Sequence, residues 1–300
     1  MEKILHDIKQ EVENYLETLF TEDLNAHYPS ILGESMRYAL LGGGKRIRAT
    51  LCILVGRIFN GKNEDLFPIA AALEMIHAYS LVHDDLPAMD NDEYRRGRLC
   101  THKKYGESMG ILAGDALLTH AFYVVSQMKN KTALAEIVPV LAWKAGIGGM
   151  VSGQVVDVLM AEKWDVVKIF GTSKDEKEVL NYIHQNKTAA LIQCACKCGA
   201  LAASCSKDDL EKIHIYGNRI GMIFQIVDDI LDVVSTQEKM GKKVGKDQDL
   251  GKLTFPGIWG MEKAKEYADQ LLKEACDTIK DIPQHQILID LANFLSKRDY

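Results

Sequence analysis

Apolar residues recur along most of this chain with the three-to-four-residue period of an α-helix, and strand-like alternation is scarce. Residues 69–82, 111–127, 134–144, 180–203, 210–234 and 263–280 are predicted to be helices on this pattern. The 180–203 run is apolar on most faces, as a helix surrounded by other helices would be. Ser173-Lys174-Asp175-Glu176 has the form of a capping box and should start the helix that carries Lys187. No repeat, linker or shift of composition divides the sequence, so residues 1–300 are predicted to form a single large all-α domain.

With 47% hydrophobic residues in 300, the chain can bury a sizeable core. It has no uninterrupted apolar run of about 18 residues, so no membrane span is expected. Met1-Glu2-Lys3-Ile4-Leu5-His6-Asp7 lacks the apolar core of a signal peptide, and the expected location is cytoplasmic. Seven cysteines form no CxxC pair. Cys194, Cys196 and Cys198 lack a fourth ligand at zinc spacing and read as small buried residues in a reducing compartment.

A net charge of −6 argues against a nucleic-acid partner. The charges are also segregated. Carboxylates gather in two short stretches, and Lys and Arg gather near 45–48, 95–98 and 242–252. A site for a polyanion and its divalent metals needs that separation.

The first acidic stretch is His83-Asp84-Asp85-Leu86-Pro87-Ala88-Met89-Asp90, at the end of an apolar helix. Asp84 and Asp90 are about 600° apart on an ideal helix and do not share a face. Pro87 ends or distorts the helix, which lets the chain curl until Asp90 returns beside Asp84. The second is Asp228-Asp229-Ile230-Leu231-Asp232, whose first and last members are i, i+4 on an otherwise apolar helix. Charges so placed are costly unless paired or bound to metal. The spacing of Asp90-Asn91-Asp92 does not fit an EF-hand. Magnesium bridging substrate phosphates fits both clusters.

Gly42-Gly43-Gly44-Lys45-Arg46-Ile47-Arg48 offers glycines for close backbone approach to an anion, with Lys45 and Arg48 as donors. It lacks the spacing of a P-loop. Tyr94-Arg95-Arg96-Gly97-Arg98 follows the first acidic cluster, where its guanidiniums meet either a metal-bound diphosphate or the neighbouring acids. Lys187-Thr188 interrupts an apolar helix.

Taken together these motifs resemble the trans-isoprenyl diphosphate synthases, most closely the bacterial-type farnesyl diphosphate synthases. DDxxxxD, DDxxD, GGKRxR, RRG, GQxxD, KT and FQxxDD fall in that family's order over nearly the whole chain. The resemblance implies a bundle of about ten helices around a central cavity, usually in a homodimer. It also implies head-to-tail condensation of isopentenyl diphosphate with dimethylallyl and geranyl diphosphate, with Mg2+ as cofactor. By that resemblance Asp84, Asp90 and Asp228 hold magnesium against the allylic diphosphate, supported by Asp85, Asp229 and Asp232. Arg95, Lys187 and Lys243 are further allylic-diphosphate contacts. Lys45, Arg48, His77 and Arg96 take the isopentenyl diphosphate. Lys187, Thr188 and Gln225 line the carbocation region, Lys252 helps close the site, and Gln154 and Asp157 belong to a supporting motif. Tyr79, with Ser80 beside it, is implied to be the floor that stops the hydrocarbon tail, giving farnesyl diphosphate. The small Ser80 leaves geranylgeranyl diphosphate as the alternative product. A class I terpene cyclase would carry an Asn/Ser/Glu-type triad in place of the second DDxxD and would not need Lys45 and Arg48. A non-catalytic subunit would have lost an Asp motif, and a helical scaffold would leave buried carboxylates unexplained.

Overall fold

In a computed structural model, which describes residues 1–20, 28–234 and 252–297, the predicted helices are present and pack around one another. In chain order they are α1 (Glu2–Thr18), α2 (Ser30–Leu40), α3 (Ile47–Ile58), α4 (Asn63–Asp84), α5 (Thr101–Tyr105), α6 (Glu107–Ser126), α7 (Lys131–Ala145) and α8 (Met150–Ala161). They continue as α9 (Val166–Phe170), α10 (Glu176–Ile183), α11 (Ala190–Ala202), α12 (Lys207–Val234), α13 (Phe255–Trp259), α14 (Met261–Thr278) and α15 (Gln286–Ser296).

The centre is built by α3, α4, α11 and α12; α3, α4 and α11 bury almost every apolar side chain they carry, and α12 packs its inner face on α11. Small residues make this possible. Ala70, Ala71 and Ala72 on α4 and Ala195, Cys196 and Cys198 on α11 are fully buried or nearly so, and their low volume lets the helices approach closely. All seven cysteines are free, and Cys194, Cys196 and Cys198 belong to the apolar core. Arg46, in left-handed backbone (φ 53°), turns inward to Glu74 at 3.2 Å and to the carbonyl of Leu40 at 2.8 Å. That buried pair fixes the start of α3.

Three local features differ from the sequence reading. The single helix predicted over 180–203 is divided by a π-helical turn, His184–Ala189, between α10 and α11. The capping box lies two residues later than expected. Asp175 Oδ1 accepts from Glu178 N at 2.8 Å and Glu178 Oε2 from Asp175 N at 3.0 Å, because Asp175 rather than Ser173 occupies the cap. Tyr94–Arg95 and Arg98–Leu99 form a short antiparallel ribbon, β1 and β2, turned by Arg96 and Gly97 at positive φ. By length and composition α4, α6 and the run Lys131–Ala161 are apolar enough to cross a membrane, although 72% of the α4 stretch is buried inside the bundle.

Candidate active site

Helix α4 ends at Asp84, and Pro87 follows within the next turn. Released from the helix, the chain doubles back until the Asp90 amide donates to the Asp84 carbonyl at 2.8 Å. The two carboxylates therefore stand together although the helical period separates them. Burial, with Asp90 adding to it against the opposing pull of Lys187, pushes the Asp84 carboxyl up to about 6. Gln154 Nε2 of α8 donates to Asp84 Oδ1 at 2.8 Å, and Lys252 Nζ lies 3.4 Å from Asp90 Oδ1. Asp85 turns the other way. It is 3% exposed and receives Arg95 through Nε and Nη2 at 2.7–3.0 Å, which anchors the β1–β2 ribbon beside the acidic turn.

The second acidic group sits on α12. Asp229 is buried and accepts from Gln225 Nε2 at 2.7 Å and the Phe255 amide at 3.0 Å, with His184 Nε2 3.3 Å away but not hydrogen-bonded. Thr188 Oγ1 donates to Gln225 Oε1 at 2.6 Å, so Gln225 links the π-helical turn to Asp229. Asp232 is buried and Asp228 half-buried on the same helix.

Lys187 and Thr188 lie consecutively in the wide turn, Lys187 paired with Asp157 Oδ2 of α8 at 2.5 Å and Thr188 with Gln225 of α12. Burial disfavours the Lys187 ammonium, but Asp157, Asp84 and Asp90 outweigh it and hold its pKa above the ordinary lysine value. The turn is seated between two glycines. A Cβ on Gly153 of α8 would lie 2.2 Å from the Lys187 backbone nitrogen, and one on Gly221 of α12 would lie 2.5 Å from the Ala189 Cα. π-Turns of this kind commonly occur at functional sites, where they redirect side chains that an α-helix would carry away.

Two adjoining cavities meet here. A basic one of about 560 Å3 is lined by Lys45, Arg48, His77 and Arg96, with Phe224 as its apolar wall. Arg96 is held over the glycine run by donating to the Gly43 carbonyl. Burial and the charges of Arg48 and Arg96 push His77 well below its ordinary pKa, so its ring is neutral at neutral pH. The other cavity, of about 450 Å3, runs along α4 and α8 past Tyr79, Ser80, Met150, Val155 and Leu159 and opens at Asp84, Lys187 and Thr188. Arg48 and His77 line both.

The structure thus brings together Lys45, Arg48, His77 and Arg96 around one cavity, and Asp84, Gln154, Lys187, Thr188, Tyr79 and Ser80 around the other. Arg95 is engaged by Asp85, and Lys243 lies outside the described residues. Among the described residues no three His, Cys, Asp or Glu side chains close into a ready-made metal cage. Asp84 beside Asp90, two oxygen donors whose negative charges oppose each other, nevertheless suits a hard cation that relieves that repulsion and completes its shell with phosphate oxygens. Sequence reasoning missed His184, which is 5% exposed and stacked on Phe255 at 5.0 Å. It also missed the α8 side chains that wall the apolar cavity. Their i, i+4 spacing at 151, 155 and 159 was the available signal.

The chain matches the polyprenyl synthetase family over residues 29–288. It is 41% identical to the geranylgeranyl diphosphate synthase of Cyanophora paradoxa over 299 residues, covering 98% of this chain and 95% of that one. Among solved structures, an FPP/GFPP synthase from Zymomonas mobilis superposes with a TM-score of 0.82 at 31% identity, covering 99% of this chain and 100% of the other. A geranyltransferase from Helicobacter pylori, complexed with magnesium and isoprenyl diphosphate, gives 0.81 at 29% identity, covering 98% and 95%.

Proposed function

Because the chain belongs to the polyprenyl synthetase family and is a trans-isoprenyl diphosphate synthase, we propose that it elongates dimethylallyl and geranyl diphosphate with isopentenyl diphosphate and stops at farnesyl diphosphate. The observation that carries this reading is the pair of adjoining cavities. One is basic and the other apolar with an acidic mouth, and Arg48 and His77 stand between them. A terpene cyclase, which takes one diphosphate, has no use for the first.

Lys45, Arg48, His77 and Arg96 bind the diphosphate of the isopentenyl substrate. Asp84, Asp90 and Asp228 would hold Mg2+, which supplies electrostatic stabilisation of the departing allylic diphosphate when bound. Lys187 adds a fixed positive charge at the same mouth, and Lys252 reaches it from the other side. Thr188 and Gln225 are fixed to each other, so their oxygen dipoles do not reorganise as the allylic cation develops. Met150, Val155 and Leu159 keep water from the cation, which would otherwise be captured as an alcohol. The double bond of isopentenyl diphosphate attacks the cation, and the proton then lost passes to the released diphosphate.

Product length is read from Tyr79. It is 7% exposed, lines the apolar cavity and lies about 7.5 Å deeper along α4 than Asp84. His83, which lines the same cavity, packs near-perpendicular to its ring at 5.8 Å and lies 3.0 Å from the Ile111 carbonyl, so the phenol is braced along α4. A second reading, geranylgeranyl diphosphate, is favoured by the name of the Cyanophora relative and by the small Ser80. Labelled isopentenyl diphosphate incubated with each allylic primer, with chromatography of the dephosphorylated products, separates the two. The expected wild-type product has fifteen carbons, and Tyr79→Ala shifts it to twenty or more. A mainly twenty-carbon wild-type product establishes the second reading instead.

A homodimer is part of the proposal. Large apolar side chains stand exposed on α6 (Ile111, Leu112, Tyr123) and at the α7–α8 junction (Ile147, 79% exposed), a surface suited to a second copy.

A further inference from the structure

Helices α7, α11 and α12 enclose a third cavity, of about 380 Å3, that shares no lining residue with the two cavities of the reaction site. Lys144 enters it from α7, Gln193 and Lys197 from α11, and His214 from α12, while Trp143 and Val140 give it an apolar side. No carboxylate lines it. Among the described residues neither Lys144 nor Lys197 pairs with an acid, and the two ammoniums act on each other. Burial and the Lys197 charge hold the Lys144 pKa below its ordinary value. Burial and both lysines do the same to His214, with Glu211 on the same helix pulling the other way.

The polar groups are set in place. Gln193, 5% exposed, donates through Nε2 to the His214 carbonyl at 3.2 Å, which fixes the orientation of the amide. The same Nε2 faces His214 Nε2 at 3.3 Å, so the ring nitrogen there accepts and the imidazole proton sits on Nδ1. Nδ1 is buried and has no hydrogen-bond partner, which leaves one unused donor beside two uncompensated cations. Trp143 is fixed as well. A Cβ on Gly148 would fall 2.0–2.1 Å from its ring atoms, so the backbone after α7 lies directly against the indole, yet 57% of the residue stays exposed.

We propose that this pocket is a binding site for a small amphiphilic anion. A phosphate or carboxylate head is received by Lys144 and Lys197, and an apolar body lies along Trp143 and Val140. Such a ligand removes the repulsion between the lysines, and the cavity volume sits within the range of small-molecule sites. It also ties α7 to α11, which continues from the π-helical turn, and to α12, which packs on that turn.

The test is calorimetric titration of the full chain in metal-free buffer with farnesyl monophosphate, farnesol and inorganic phosphate as separate probes. Farnesyl monophosphate is expected to bind wild type and the Arg48→Gln variant alike, because Arg48 belongs to the reaction site. The double variant Lys144→Gln/Lys197→Gln should weaken binding by about tenfold or more, as expected on loss of charge-assisted contacts. Its prenyl-transfer rate should match wild type. Trp143→Leu should weaken farnesyl monophosphate more than inorganic phosphate. Unchanged affinity in the double lysine variant overturns the site. So does loss of binding in Arg48→Gln, which places the anion in the reaction site. Equal affinity for farnesol overturns the role of the head, and equal affinity for inorganic phosphate overturns that of the apolar body.

Discussion

His77 shows how a single side chain takes its chemistry from its neighbours. Burial and four surrounding arginines, Arg48 foremost, depress its pKa well below 6.5. The unfolded chain therefore takes up a proton just below pH 6.5 where the folded protein does not, and this group's contribution to stability is lost as pH falls through that window. His77→Asn should flatten the fall of unfolding free energy between pH 7 and 5, by at most about 1.4 kcal/mol per pH unit, as read from denaturant melts at each pH. A diphosphate beside the ring reverses the bias by favouring the charged imidazole. The Michaelis constant for isopentenyl diphosphate should therefore drop in wild type relative to His77→Asn as pH is lowered from 7.5 to 6. Parallel profiles for the two proteins would show that His77 does not meet that diphosphate. At this scale much was legible in the sequence, because a carboxylate or lysine embedded in apolar helix is conspicuous. His184 was not, since one histidine in such a helix is ordinarily a satisfied core residue, and only its tertiary contact with Asp229 and Phe255 marks it.

Helical elements were legible through their period, and the π-helical turn was not. A wide turn changes the register of a helix by one residue, and apolar residues on all faces of 180–203 hide that change. Room for it is made on other helices, by the missing side chains of Gly153 and Gly221. Gly153→Ala places a methyl against the backbone of Lys187, which cannot swing aside as a side chain would. The expected result is a loss of about 1–3 kcal/mol in stability, typical of overpacking. Turnover should fall at least about tenfold because Lys187 and Thr188 move together, while the Michaelis constant for isopentenyl diphosphate stays near wild type. Melting curves and steady-state kinetics check both parts. A variant that melts lower but turns over normally would mean the glycine serves packing alone.

For the whole molecule, the cavities exist only through assembly. Lys45, His77, Arg96, Gln154 and Lys187 come from five separate segments, and no local pattern states that they converge. The exposed apolar face of α6 and the α7–α8 junction is likewise visible only once the helices are placed. Ile147→Glu should convert the proposed dimer to a single chain of about 33.5 kDa, read by sedimentation. An unchanged mass would put the interface elsewhere. The α8 wall gives this prediction a second edge. Val151 and Val155 line the apolar cavity and are still 41% and 49% exposed, and Ile147 lies one turn before Val151. On this side the cavity is walled by the aliphatic side chains of α8. A wall carried by one helix borrows stiffness from whatever leans on it. An isolated subunit should measure its substrate less sharply than a paired one, with a broader spread of product lengths and more allylic alcohol. The ruler for chain length would then be shared property of two subunits, although each carries every residue of the scale.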